Sequence, residues 1–167
     1  MGKASSDLTG GCGCGQVRYE LTNNPLFVHC CHCTWCQRES GSAFALNALI
    51  ETTEVNITAG QPVLVKTPSE SGQGQLMARC PDCQLALWSH YGGRNTLISF
   101  IRVGTLDHPA LAPPDIHIYT RSQQPWLSIP ETAIQCEGYY RRDEHWPADS
   151  LQRFYSVIRQ WQQENPS

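Results

Sequence analysis

The sequence predicts a mainly β fold closed by one C-terminal helix. Short runs of alternating or β-branched apolar residues recur between turn signals. Two cysteine pairs, far apart in the chain, are each spaced to supply half of one metal site. Only the tail, residues 148–165, changes to apolar side chains at helical spacing.

Residues 17–21 (VRYEL) alternate, and Asn23-Asn24-Pro25 ends them in a turn. Residues 26–29 form a short strand that runs into a cysteine cluster. Residues 34–39 make one helical turn, closed by Ser40-Gly41-Ser42. Residues 44–50 read as a strand. Residues 53–57 and 63–67 follow, on either side of Ala59-Gly60-Gln61-Pro62. A polar loop over 68–74 leads to strands at 76–79 and 84–89, joined by Cys80-Pro81-Asp82-Cys83. Residues 96–103 and 116–120 complete the strands. In the tail, Leu151, Phe154, Tyr155, Ile158 and Trp161 predict a helix packed on the sheet, capped by Asp149 or Ser150.

At 167 residues the chain reads as one domain, 1–167, with a sizeable core. It is 40% hydrophobic and 16% charged, as in ordinary globular proteins. Lys and Arg total 12 against 15 Asp and Glu, a net charge of −3, which argues against a nucleic-acid partner. The longest apolar stretch, over 43–50, is interrupted by Asn47 and too short to span a membrane. The N-terminus lacks the apolar run of a signal peptide. These features predict a soluble, cytoplasmic protein, where thiols stay reduced. Nine cysteines, an odd number, cannot all pair within one chain.

Cys12-Gly13-Cys14 can turn two sulfurs to one side of an extended segment. Cys80-Pro81-Asp82-Cys83 brings two more onto a tight turn. Together they make a four-thiolate set, the composition of a closed structural zinc site. Two half-sites that complete each other favour zinc over loose thiols or a redox CxxC. Cys31, Cys33 and Cys36 form a separate set of three, with no cysteine pair left to complete it; three ligands and an open position are how catalytic zinc is held. His32, His29 and Cys30 are the rivals for a fourth ligand. In extended backbone His32 points away from Cys31 and Cys33, and Cys30 reads as a buried free thiol. Cys136 stands alone as a small buried hydrophobe.

The stretches GGCGCGQVRYE, HCCHCTWCQRESGSAF, RCPDCQLALW, VGTLDHP and HIYTRSQQPWL occur in that order over roughly residues 10–130. They resemble the glutathione-dependent formaldehyde-activating enzyme family, also called Gfa/CENP-V-like. The resemblance implies a β-tent fold with two zinc ions, a structural one at Cys12, Cys14, Cys80 and Cys83 and a catalytic one at Cys31, Cys33 and Cys36. It implies a carbon–sulfur lyase that makes or breaks an adduct of glutathione and formaldehyde. Other β-tent proteins are interaction modules, so a non-catalytic zinc-binding module is the alternative. Two departures stand out. Gln84 occupies a position where the family usually has glycine, and a left-handed backbone there is costly for glutamine. Cys30 is an additional thiol.

Soft sulfur ligands suit a soft substrate atom, so a thiolate is the natural occupant of the open position. A free thiol titrates near roughly 8.5 and loses its proton on a metal. Arg38, Arg79, Arg94, Arg102 and Arg121 are candidates to hold the carboxylates of glutathione, with Arg38 foremost. Trp35 and Phe44 are candidate pocket walls. Trp88 and Trp126 are expected in the core, and His32 and His117 are candidate proton donors.

Overall fold

The structure, a computed structural model, describes residues 8–91 and 96–165. The strands are β1 (Thr9–Gly11), β2 (Arg18–Leu21), β3 (Phe27–Cys31), β4 (Ala45–Glu51), β5 (Val55–Ala59), β6 (Val63–Thr67), β7 (Gln75–Arg79), β8 (Ala86–Tyr91), β9 (Ile98–Arg102) and β10 (Ile116–Ile118). The α-helices are α1 (Thr34–Ser40), α2 (Arg142–His145) and α3 (Ala148–Glu164). The mainly β architecture with a C-terminal helix is as the sequence predicts.

β1, β2 and β5 form a three-stranded antiparallel sheet. The other strands form a seven-stranded sheet in the order β10-β3-β4-β9-β8-β7-β6. Its pairings are antiparallel except that β10 runs parallel to β3.

Side-chain alternation divides the large sheet into two apolar layers. Val28, Ala48, Ile50, Trp88 and Ile101 face one core, where they meet Tyr19 and Leu21 of the small sheet. Phe27, Cys31, Ala45, Leu49 and Ile98 face the other, which Trp146 and the start of α3 cover. β4 is therefore covered on both sides, and its ALNALIE reads as a nearly continuous apolar run rather than an alternating one.

Three elements lie outside the predicted set: β1, α2 and the parallel pairing of β10. β1 depends on Gly10, where a Cβ would sit 2.6 Å from the Thr105 carbonyl oxygen and the Tyr19 hydroxyl. Besides pairing with β2, this three-residue strand lies backbone against the loop at Thr105 and Leu106, which no apolar pattern marks. Trp88 is buried as expected, but Trp126 is 72% exposed and belongs to no core.

α3 starts at a Pro147 cap with no side-chain cap bond; Asp149 accepts instead from the Ser150 N–H. Leu151 and Phe154 pack on the second core, whereas Tyr155 and Trp161 remain exposed. Arg153 fixes the helix from its other side, with an ion pair to the buried Glu51 and a hydrogen bond to the Asn24 carbonyl.

Candidate metal centres and the adjoining cavity

The Sγ atoms of Cys12, Cys14, Cys80 and Cys83 lie within 4.8 Å of one another. Cys12 and Cys14 are 3.4 Å apart, and Cys14 and Cys80 3.6 Å. The edge of a tetrahedron around an ion with bonds near 2.3 Å is roughly 3.8 Å, so the donor set fits zinc. The first pair is not extended as expected. Residues 12–15 form a turn in which the Gly15 N–H donates to the Cys12 carbonyl, and the turn itself converges the sulfurs. Burial opposes ionisation of Cys12, but donation from the Val17 N–H and from the Cys14 and Cys80 thiols outweighs it and lowers the pKa to about 6. In the second half-site, Gln84 adopts the left-handed conformation, φ 59°. Its N–H donates to the Cys80 carbonyl and its side-chain amide to the Pro81 carbonyl. The left-handed conformation is thus adopted with a glutamine in place, secured by local hydrogen bonds.

The second cluster is Cys31, Cys33 and Cys36, all buried and also within 4.8 Å of one another. Cys31 ends β3. Cys33 caps α1, its Sγ accepting from the Cys36 N–H at 3.3 Å. Cys36 is the buried residue of the helix, and Gly41 ends it in the left-handed conformation. Gln37 anchors α1 by donating to the carbonyls of His32 and Ser122. Hydrogen bonds from the Cys31 and Cys36 thiols pull Cys33 down to about 3, while bonds to Cys33 and Cys36 push Cys31 up. A set that already favours one thiolate suits a cation. Among the described residues, no histidine or carboxylate joins this triad.

His32 projects to the opposite face. With Cys30 and His117 it forms a third group whose donor atoms lie within 4.8 Å. Its Nε2 is 3.0 Å from His117 Nδ1 and 3.5 Å from Cys30 Sγ. Neither His32 nor His117 lines the cavity at the triad.

That cavity, of about 550 Å³, is walled by aromatic and aliphatic side chains, Trp35, Tyr91, Phe100, Tyr119, Tyr139 and Phe154 among them. Among the described residues, Glu70 and Arg142 are its charged lining residues. Burial pushes the Tyr119 and Tyr139 hydroxyls up, so both stay protonated.

Residues 7–122 match the family described as glutathione-dependent formaldehyde-activating enzyme. The chain belongs to this family. No curated protein matches it. A crystal structure of a Rhodobacter sphaeroides protein, a Northeast Structural Genomics target, is similar over 60% of this chain and 88% of its own, at 20% identity and a TM-score of 0.45. Family membership links the chain to glutathione and formaldehyde chemistry. Among the described residues, no helix is long and apolar enough to cross a membrane.

Of the arginines singled out from the sequence, Arg38, Arg79, Arg102 and Arg121 do not line the cavity. Arg38 is exposed. Arg79 pairs with Glu39 and Arg102 donates to Asn47. Arg121 lies over the Tyr119 ring, and Arg94 is outside the described residues. Trp35 lines the cavity as expected; Phe44 packs on His32 instead. Arg142, Tyr139 and Phe154 were not anticipated, because they follow the family motifs. The aromatic–basic run YYRRDEHW was the one available signal.

Proposed function

We propose that this chain is a single-domain, cytoplasmic zinc enzyme of the β-tent type, a carbon–sulfur lyase acting on a thiol–aldehyde adduct such as S-hydroxymethylglutathione. The observation that carries the reading is the three-sulfur cluster opening on a cavity of about 550 Å³. Cys12, Cys14, Cys80 and Cys83 would hold a structural zinc, and Cys31, Cys33 and Cys36 a second ion. Bound at the triad, that ion would supply the positive charge that keeps an arriving thiol deprotonated beside a carbonyl. A closed four-donor second site would favour an interaction module; the open triad supports catalysis.

The chain's own side chains supply the rest. Apolar walls limit water around the reacting pair and strengthen polar contacts inside. In the adding direction the carbon–sulfur bond forms, the carbonyl π pair moves to oxygen, and that oxygen takes a proton; lysis reverses each change. Protonated Tyr119 and Tyr139 line the cavity, and Trp35 brings a buried Nε1–H with no partner. Such donors suit an oxygen on which charge develops.

Metal analysis of the reduced protein should find about two zinc ions per chain, following the two ligand sets. Exchange NMR of glutathione with formaldehyde should show faster adduct turnover than in buffer. Cys36→Ser should lose one ion and the acceleration while retaining the fold. A two-ion protein that accelerates no thiol–aldehyde exchange overturns the enzymatic reading.

A further inference from the structure

We infer that the cavity takes a thiol monocarboxylate with an aromatic or branched apolar body, selected by Arg142 and the segment 139–158. For the sulfur this rests on the thiol–aldehyde reading above; the carboxylate subsite stands without it.

Arg142 comes from α2, beyond the family-matched residues 7–122. Its Cζ lies 4.7 Å from the Phe154 ring centroid and 5.8 Å from that of Trp146. Its Nε is buried with no hydrogen-bond partner, and among the described residues no carboxylate pairs with it. Arg142 is half-buried and its side chain also meets the Tyr139 hydroxyl, but its Nε–H, buried between aromatic faces, still lacks an acceptor, which is costly. Its planar edge matches the two oxygens of a carboxylate. Trp35 Nε1 is a second buried, unpartnered donor lining the same cavity. Two unused donors at one cavity call for acceptors on the ligand.

Outside the triad and Glu70, the rest of the lining is aromatic and aliphatic apart from the uncharged polar residues Asn47, Ser69, Ser71 and Gln73 and the imidazole of His29, so it offers little to balance a ligand with several charges. Glutathione carries two carboxylates and an ammonium, whereas among the described residues the cavity lining offers one cation, Arg142, and one acid, Glu70. Glu70 already lies 3.8 Å from Arg121. The volume far exceeds the need of formaldehyde, so the apolar walls must serve the body of the thiol.

The test is calorimetric binding to the zinc-loaded protein with four probes: 2-mercapto-3-phenylpropanoate, its primary amide, 3-phenylpropanoate and glutathione. The mercapto-acid should bind at least about tenfold tighter than its amide, as expected of a charge-assisted hydrogen-bonded pair. It should also bind tighter than glutathione. Arg142→Gln should bring the acid-to-amide ratio near one, and Ile158→Trp should weaken all three phenyl probes by filling the lining. An amide that binds as well as the acid overturns the proposal, as does tighter binding of glutathione or a preference that survives in Arg142→Gln. Should that variant fail to fold, Arg142→Lys keeps the charge without the planar edge and must narrow the ratio; an unchanged ratio overturns the subsite. If 3-phenylpropanoate depends on Arg142 but the thiol adds no affinity, the sulfur reading fails and the carboxylate subsite stands.

Discussion

Trp146→Ala should remove about 4 kcal/mol of stability. Trp146 is 5% exposed, although it lies beyond the family motifs. Its ring stacks on Phe27 at 5.6 Å and meets Phe154 edge-on at 5.5 Å. Burying an indole of roughly 150–200 Å² at about 25 cal/mol per Å² contributes ~4–5 kcal/mol as an upper bound. Buried Trp→Ala substitutions cost about 3–5 kcal/mol, within which the aromatic pairs are already counted. The Nε1–H also donates to the Tyr140 hydroxyl at 2.6 Å, and that hydroxyl lies 2.5 Å from His29 Nε2. Trp146→Phe keeps most of the stack and loses the donor, so about 1–2 kcal/mol is expected. Urea unfolding of the metal-saturated protein, with the slope checked for constancy, measures both. A loss below about 1 kcal/mol for Trp146→Ala refutes the reasoning. Segment 139–158 would then contribute little to the second core, and the cavity would lack a fixed wall.

Gln84→Gly should stabilise the chain by up to about 1 kcal/mol, since φ 59° suits glycine, less the lost bond to Pro81; a marked loss on thermal unfolding contradicts this. Asp107 is held down at about 2, chiefly by Arg18 and then by Thr9. Its contribution is present above the ordinary value of 3.8 and is lost as pH falls through about 2. The pair's side chains are 37% and 35% exposed, so the term is only ~0.5 kcal/mol. Asp107→Asn should therefore differ from the parent at pH 7 and converge with it near the folded pKa; denaturant melts at both pH values check the convergence. Arg153→Met leaves Glu51 unpaired and should cost about 2–3 kcal/mol, much of it recovered when Glu51→Gln is added. A double variant no better than the single one argues against the pair.

The strands other than β1 and both cysteine sets were legible because their signals are local. CxC and CxxC spacings fix which sulfurs can meet, and alternation on β3 separates Cys31 from Cys30. Gln84 was flagged because a glycine position carries a backbone requirement, and the left-handed conformation is there. The turn over 12–15 was missed because CxC permits either an extended or a turned route to converging sulfurs. The parallel pairing of β10 with β3 depends on partners far apart in sequence. Arg142 and its aromatic neighbours reach the cavity only through tertiary packing of a segment without motifs, which no local pattern in the sequence signals. Trp126 shows the reverse error: size and hydrophobicity suggested burial where the fold has none.

The two sulfur clusters differ in when a growing chain can assemble them. Cys31, Cys33 and Cys36 are near neighbours, so their meeting closes almost no loop. Cys14 must wait for Cys80, 66 positions later, and His32 waits 85 positions for His117. At roughly 5–20 residues per second, synthesis delivers β10 several seconds after β3 has emerged. During that interval the three thiols stand uncovered, before the aromatic roof from the final helices exists. Early capture of an ion at the triad would shield these sulfurs from oxidants while the rest of the protein is being made.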